Sequence, residues 1–217
     1  QCSKILNVTF EADAINGPPA KNLPGAPAGD EINYHNAIVP RLKVQNSAIA
    51  GSKALQYIDN PIADAPPLAS QWLSFEGIET SLTQTLWFTH TGQHHGAAVT
   101  IDISDGDINT MGRLEIDDNG EVRVIHSFAE TEHHLIGNIG TGVHTIVFTV
   151  FTSELKYNVS ILKDGGNLIA EDQPMITTDK LSFKNPANPT ISFLLSNPLN
   201  SLNYYEIGSV YISKKKP

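Results

Sequence analysis

Residues 112–124 read GRLEIDDNGEVRV, in which two runs of alternating apolar and polar side chains flank an Asp-Asn-Gly turn. Alternation with a period of two predicts β-strands that each present one face to a core. A three-residue loop, with Gly120 at the position that needs a positive φ, joins the two strands. This loop sets the register, so that Ile116 opposes Val122 on the core face.

The same register pairs Leu114 with Val124 on the core face and places Glu115 opposite Arg123 on the other face. Opposite charges across two strands contribute a few tenths to about 1 kcal/mol. A two-residue loop would instead put Glu115 against Val124 and mix the two faces. The three-residue loop is therefore the prediction.

Similar strand patterns, bounded by Gly, Pro, Asn and Asp, recur along most of the chain, whereas strong helical patterns are absent. Strands are predicted at residues 5–11, 53–58, 71–75, 82–90, 97–103, 112–117, 121–127, 143–151, 156–162, 190–195 and 204–213. Many short strands without helices indicate an all-β, two-sheet antiparallel sandwich. We expect a single domain over residues 1–217, with long loops near 16–36 and 59–69 and with the first and last strands paired.

The composition excludes several classes of protein. Hydrophobic residues make up 40% of the 217 positions, which is enough for a sizeable core. The 23 acidic residues outnumber the 14 basic ones, and this balance excludes generic nucleic-acid binding. No stretch of about 18 apolar residues is present, so no membrane span is expected.

The charge is concentrated in the middle of the chain. Residues 59–154 hold 14 acidic and two basic side chains, together with seven of the eight histidines. An acidic middle that also supplies several strands of one face favours neutral ligands over anionic ones.

Cys2 is the one cysteine of the sequence, so no internal disulfide can form. A cysteine at this position suggests a lipid anchor of the bacterial type, although Gln1 differs from the small residue expected before such a cysteine. An unmodified thiol without a role is the alternative. We expect an extracytoplasmic location: secreted, periplasmic or at the cell surface.

Four stretches carry a family resemblance: NVTFEAD at 7–13, GSKAL at 51–55, GVHTI at 142–146 with the hairpin at 157–164, and YEIGSVYI at 205–212. Together they resemble the concanavalin A-like lectin/glucanase superfamily, in its laminin-G-like bacterial variants. The resemblance spans nearly the whole chain and implies a jelly roll. It implies a fold and no particular function.

The resemblance also implies a structural calcium ion near the first and last strands. The corresponding residues here are Glu11, Asp13 and Glu206, where the family usually has Asp at the closing position. Calcium prefers six to eight oxygen ligands, and these residues supply only part of such a set. Solvated or Lys-paired carboxylates are the alternative.

The resemblance also raises two enzyme classes that share this fold. Laminarinase-like hydrolases need alternate carboxylates on one strand, but a turn separates Glu115 from Glu121, so hydrolase chemistry is not expected. The run of Gln93, His94 and His95, read as a loop after a strand, resembles a Gln-x-His lyase motif. His94 or His95 could then act as the base, although the Arg-rich and Tyr-Lys motifs of that lyase family are absent.

The histidines also raise the question of a transition-metal site. Neutral imidazoles suit zinc or copper. The candidate ligands are His90, His94, His95, His133 and His134. Solvated loop histidines are the favoured interpretation, with the exception that strand alternation points His90 inward. The acidic segment 102–109 departs from the EF-hand pattern and is predicted to be a plain turn.

Both tryptophans, Trp72 and Trp87, fall on predicted polar strand faces beside Ser and Thr. Sugar rings stack on flat aromatic surfaces, and hydroxyl groups donate and accept hydrogen bonds around them. Loops that cover and bury these rings are the alternative. The leading hypothesis is glycan binding on one sheet face by Trp72 and Trp87, with Arg113 and Glu115 as polar contacts. A polysaccharide lyase and a structural or adhesion module of the cell surface are the alternatives.

Overall fold

The computed structural model describes residues 4–19, 31–33, 42–47, 49, 53–58, 72–77, 85–105, 110–127, 133–176, 188–195 and 203–217. These residues form strands, turns and bends, and none of them belongs to a helix that could cross a membrane. The all-β prediction is confirmed. Cys2, the loop at 59–69 and most of the segment 16–36 lie outside the described residues.

The described residues contain fifteen strands. They are β1 (Lys4–Thr9), β2 (Glu31–Asn33), β3 (Leu42–Asn46), β4 (Lys53–Ile58), β5 (Leu73–Glu76), β6 (Thr85–His95), β7 (Val99–Ser104), β8 (Thr110–Ile116), β9 (Glu121–Ile125), β10 (His133–Asn138), β11 (Val143–Phe151), β12 (Lys156–Lys163), β13 (Leu168–Pro174), β14 (Thr190–Leu195) and β15 (Tyr204–Ser213).

The strands form two antiparallel sheets that pack face to face. The eight-stranded sheet has the order β13-β12-β11-β6-β15-β4-β3, and β1 also pairs with β15. The seven-stranded sheet has the order β10-β9-β8-β7-β14-β5-β2. One hydrophobic cluster, built from the inward side chains of both sheets, fills the space between them. The predicted two-sheet jelly-roll sandwich is therefore confirmed.

Strand β15 is shared by three partners. It pairs with β6 along one edge and, along the other, with β4 through Tyr204–Ile207 and with β1 through Ser209–Ser213. The pairing of the first and last strands is thus confirmed. A bulge at Gly208 separates the two halves of β15, and a Cβ atom at this glycine would lie 2.3 Å from Ile49 Cγ2.

The β8–β9 hairpin has the predicted register. Leu114 pairs with Val124, Glu115 with Arg123, and Gly120 adopts a φ of 86°. The guanidinium group of Arg123, however, binds carboxylates at the turn, with 3.3 Å to Asp117 Oδ2 and 2.9 Å to the Oε2 of Glu121. The local alternation of apolar residues was sufficient to fix this part of the fold.

Four strands escaped the sequence analysis: β2, β3, β10 and β13. Each lies at an edge of its sheet or next to one, where polar residues are tolerated and the apolar alternation is weak. Strand β6 is also longer than predicted, because it continues through Gly92 to His95. The prediction of a loop at residues 93–95 is therefore wrong.

The two edge strands on one side of the sandwich are irregular. Strand β13 is bulged against β12, and Asp172 within it has a φ of 55° and donates its N–H to Asn158 Oδ1 at 2.8 Å. Strand β10 is bulged against β9 between Leu135 and Gly137. Such bulges interrupt the regular row of backbone donors and acceptors at an edge.

A polar network lies inside the otherwise apolar core. His90 on β6 and His144 on β11 each place Nε2 at 2.7 Å from the hydroxyl of Tyr205 on β15. Phe193 of the opposite sheet covers the His90 ring, with 4.8 Å between the ring centroids. A Cβ atom at Gly92 would lie 2.6 Å from His90 Nε2, so the absence of a side chain there makes room for the network.

The hydrogen bonds determine which nitrogen atoms carry protons. His90 Nδ1 lies 3.1 Å from the carbonyl oxygen of Ser209, which can only accept, so Nδ1 is the donor. In neutral His90, Nε2 then accepts from the Tyr205 hydroxyl, whose oxygen in turn accepts from His144 Nε2. In this arrangement His144 Nδ1 is unprotonated, and that atom is buried without a hydrogen-bond partner.

Burial lowers the pKa of His90 from its ordinary value of 6.5 to about 4. Burial, together with the nearby His90 and His94, lowers the pKa of His144 to about 3. Both imidazoles are therefore neutral in the folded protein at neutral pH. The apolar surroundings disfavour the charged form of each ring.

Tyr205→Phe should destabilise the protein, whereas Tyr157→Phe should not. Removal of the Tyr205 hydroxyl leaves nitrogen atoms of His90 and His144 unpaired, and we expect the free energy of unfolding to fall by about 1–3 kcal/mol. Tyr157 is the matched control, because its hydroxyl is buried without a hydrogen-bond partner. Urea unfolding of both variants measures the difference. Equal losses for the two tyrosines would contradict the network.

Mild acid should also destabilise the fold. Between pH 6.5 and about 4 the unfolded chain binds protons at His90 and His144 that the folded chain does not. The contribution of the two neutral imidazoles to the free energy of unfolding is therefore fully present above pH 6.5. It falls with decreasing pH, by up to about 1.4 kcal/mol per pH unit for each histidine. Urea unfolding at several pH values measures this slope.

His144→Gln keeps a side-chain N–H donor but does not titrate, so the slope should become shallower. His133→Gln, at an exposed position on β10, should keep the slope of the unmodified protein. An unchanged dependence of the unfolding free energy on pH in His144→Gln would contradict the lowered pKa of His144.

Candidate functional site

The outer face of the seven-stranded sheet carries a row of polar side chains. Ser74 on β5 pairs in register with Ser192 on β14, Ser192 with Asp102 on β7, and Asp102 with Arg113 on β8. Residues that oppose each other across antiparallel strands point to the same side. The hydroxyl oxygens of Ser74 and Ser192 lie 2.8 Å apart, so they share a hydrogen bond.

Arg113 and Asp102 form a bidentate ion pair in the middle of this row. Arg113 Nε lies 2.7 Å from Asp102 Oδ1, and Arg113 Nη2 lies 2.9 Å from Oδ2. Asp102 is only 6% exposed, and this burial raises its pKa, an effect that the hydrogen bonds from Arg113 oppose. Because two hydrogen bonds join the guanidinium group to the carboxylate, each group fixes the position of the other.

Trp72 precedes β5 and lies beside this pair. The guanidinium carbon of Arg113 is 5.7 Å from the centre of the Trp72 ring, which is within the range of a cation–π contact. The ring is half-buried, as are Ser74 and Arg113. The site thus combines a partly exposed aromatic ring, a bound guanidinium group, a carboxylate and two hydroxyl groups.

Glu115 lies on the same outer face as Arg113, two residues further along β8. It pairs in register with Thr100 on β7 and with Arg123 on β9, and its charge raises the pKa of Arg113 together with the larger effect of Asp102. Three candidate residues, Trp72, Arg113 and Glu115, are therefore brought to one face.

Trp87 lies on the other sheet. It belongs to β6 of the eight-stranded sheet, where it pairs in register with Ser213 on β15 and Thr149 on β11. Its outward orientation and partial exposure agree with the predicted polar face. The two tryptophans are nevertheless on opposite sides of the sandwich, so the expectation that one face contains both is wrong.

His94 and His95 also belong to β6, and they point in opposite directions. His94 is buried, and its Nε2 lies 3.0 Å from the carbonyl oxygen of Ala97, so it does not face a ligand at the surface. His95 points outward, with Nε2 at 2.9 Å from Glu206 Oε2 and with its ring stacked on Tyr204 at 4.3 Å. Neither histidine lies near Trp72, since that residue belongs to the opposite sheet.

The surroundings of His95 do not suit a lyase. Such an enzyme must neutralise a uronate carboxylate next to its base. The groups that hold His95 are the carboxylate of Glu206, which is 5% exposed, and the ring of Tyr204. A negative charge at this position opposes the binding of an anionic sugar.

The three residues suggested for calcium are not assembled into a site. Glu11 Oε1 accepts the backbone N–H of Lys53 at 3.2 Å, and the carbonyl oxygen of Asp13 accepts Lys53 Nζ at 2.6 Å. Glu206 binds His95 instead. A lysine ammonium group thus lies where a cation was expected, and the described residues contain no cluster of three or more His, Cys, Asp or Glu side chains able to hold a metal. These residues do not fit a calcium ion.

The remaining histidines are divided between the core and an edge. His90 is buried, as its alternation predicted, whereas His133 and His134 are exposed on the edge strand β10. His126 contacts His134 edge to face, with 6.3 Å between the ring centroids. His133 and His134 are solvent-exposed, as expected, but they belong to a strand rather than to a loop, and His90 points inward as predicted.

Three residues of the site were missed by the sequence analysis: Ser74, Asp102 and Ser192. Asp102 fell within both the predicted strand at 97–103 and the predicted acidic turn at 102–109, and it lies within β7. The alternation of Thr100, Asp102 and Ser104 was a usable signal, because polar residues at every second position mark the outer face of a strand.

No protein-family model and no curated protein matches this chain. Among solved structures, the winged bean acidic lectin complexed with methyl-alpha-D-galactose is similar, with a TM-score of 0.54 and 9% sequence identity over 95% of this chain and 96% of the lectin. A peanut lectin with a bound 9-residue peptide has a TM-score of 0.49 and 11% identity over 84% of this chain and 96% of that chain.

A sialidase has a TM-score of 0.49 and 14% identity over 80% of this chain, which spans only 17% of that enzyme. At such low identities a likeness shows the fold alone. The two-sheet topology and the match to the winged bean lectin agree with the resemblance found in the sequence. This chain has the concanavalin A-like jelly-roll fold of the legume lectins.

Proposed function

We propose that this protein binds neutral glycans through the outer face of the seven-stranded sheet, and that it does so outside the cytoplasm. The observation that carries the proposal is the half-buried ring of Trp72 beside the Arg113–Asp102 ion pair. An aromatic surface binds the apolar face of a sugar ring, while adjacent charged and hydroxyl groups hydrogen-bond to its edge. The winged bean lectin of similar fold is complexed with methyl-alpha-D-galactose, which adds support by analogy.

The charges of this face favour neutral sugars. Arg113 is already neutralised by Asp102, and Glu115 adds a further negative charge nearby. An anionic sugar would meet these carboxylates, whereas a neutral sugar avoids this repulsion and can accept hydrogen bonds from the partly exposed Arg113. Because the ion pair is formed before any ligand arrives, these groups need little reorganisation on binding.

Trp72→Ala should abolish most binding of short neutral oligosaccharides on a glycan array. Loss of the stacking surface should weaken binding at least about tenfold, which corresponds to about 1.4 kcal/mol. Trp87→Ala is the matched control, because it removes the other tryptophan from the opposite sheet. Binding that is lost in Trp87→Ala and retained in Trp72→Ala would move the site to the other face.

Asp102→Asn tests the contribution of the ion pair. The amide keeps one acceptor oxygen but loses the charge that holds Arg113, so we expect weaker binding and a free energy of unfolding lowered by about 1–3 kcal/mol. Isothermal titration with the best sugar from the array, together with urea unfolding, measures both effects. A blank array for the unmodified protein would remove the support for glycan binding on this face.

An adhesion module is the second candidate function. Its support is a set of exposed apolar side chains on neighbouring strands of the eight-stranded sheet: Val143, Leu162 and Ile169. Contiguous exposed apolar residues often mark protein interfaces. Light scattering of the purified protein distinguishes a self-associating module from a monomeric glycan binder.

A further inference from the structure

Three aromatic side chains form a diagonal across the three central strands of the eight-stranded sheet. They are Tyr211 on β15, Trp87 on β6 and Phe151 on β11, three strands that are neighbours in that order. In register, Tyr211 opposes Thr89 and Phe151 opposes Thr85, so each ring is displaced by two residues from the next. Diagonal neighbours of this kind lie about 7–8 Å apart. We call these three residues the aromatic diagonal.

All three rings point away from the core and are partly exposed. The strands β15, β6 and β11 lie in the interior of the sheet, so the rings project from a continuous surface rather than from an edge. A regular series of rings on such a surface matches a ligand that itself repeats. It suits an extended polymer of sugar rings better than a single sugar.

The outward side chains of β6 and β11 along the aromatic diagonal are uncharged. The outward residues of β6 from Thr85 to Gln93, and those of β11 from Val143 to Phe151, are hydroxyl, amide, aromatic or aliphatic. Lys156 at one end places Nζ 5.7 Å from the centre of the Phe151 ring, but it is paired with Glu154 and Asp172 at 2.8 Å each. In a protein with a net charge of −9, a neutral surface of this kind fits a neutral ligand.

One polar group within the aromatic diagonal lacks a partner. Thr89 lies opposite Tyr211 and two residues from Trp87 on the same strand. Its hydroxyl oxygen is buried and forms no hydrogen bond. An unpaired buried hydroxyl is unfavourable, and a sugar hydroxyl that parts the two flanking rings would supply the missing partner.

We infer that the outer face of the eight-stranded sheet is a second binding surface, which takes one extended chain of a neutral polysaccharide along the aromatic diagonal. The rings of Tyr211, Trp87 and Phe151 stack against successive parts of the chain. The hydroxyl groups of Thr85 and Thr149, which oppose Phe151 and Trp87 in register, flank it. This surface lies on the side opposite Trp72, so it is independent of the site proposed above.

Affinity electrophoresis tests this inference, in native gels that contain a mixed-linkage β-glucan, a galactomannan or a xylan, with alginate as the anionic comparison. At least one neutral polymer should retard the unmodified protein, and alginate should not. Trp87→Ala and Phe151→Ala should each weaken the retardation at least about tenfold. Leu135→Ala should leave it unchanged, since this exposed side chain lies on the edge strand β10 of the other sheet, outside both proposed sites.

Thr89→Val is a second variant that does not depend on loss of a ring. It should raise the free energy of unfolding or leave it unchanged, because a buried unpaired hydroxyl is removed, while it weakens retardation by the polymer. Far-ultraviolet circular dichroism confirms that each variant is folded. Full retardation of folded Trp87→Ala would overturn the inference, as would the absence of retardation by every neutral polymer.

A protein occupant is the competing outcome. If light scattering shows a dimer that Trp87→Ala converts to a monomer, the surface is an interface between two copies and the inference is overturned. The effect of Trp72→Ala on the glycan array reports on the site of the seven-stranded sheet and not on the aromatic diagonal. Failure of the first site with retention of polymer binding would leave the aromatic diagonal as the sole glycan surface.

Discussion

The pairing of β15 with β1, β4 and β6 is the interaction on which the rest of the molecule depends. This strand joins the early strands to the middle of the chain, and without it the eight-stranded sheet would separate into three parts. It also supplies Tyr205 to the core, together with Glu206 and Tyr211 to the outer face. The order of the strands therefore decides which side chains meet, both within the sandwich and on its surface.

The polar network in the core imposes a second constraint. A tyrosine hydroxyl between two neutral imidazoles is compatible with an apolar interior only while all three groups remain uncharged. The network replaces hydrophobic contacts at the centre of the sheet with directional hydrogen bonds, so it fixes how β11, β6 and β15 lie relative to one another. Directional bonds of this kind favour one packing arrangement over others of similar hydrophobicity.

Local features of the structure could be predicted from the sequence. The β8–β9 hairpin and the bounds of β4, β11, β14 and β15 follow from short-range alternation and turn residues. The placement of Trp72 and Trp87 on different sheets could not be predicted, because it depends on strand order rather than on local pattern. The same limit applies to Asp102, whose pairing with Arg113 requires β7 and β8 to be adjacent.

The irregular edge of β13 has a consequence for crowded surroundings. Its bulge, the left-handed backbone of Asp172 and the exposed Glu171 and Asp172 carboxylates interrupt the row of donors and acceptors to which another strand would bind. Copies of the protein held close together would therefore not join their sheets at this edge. The outer faces of both sheets can therefore remain exposed at high local protein concentration without fibril formation along this strand.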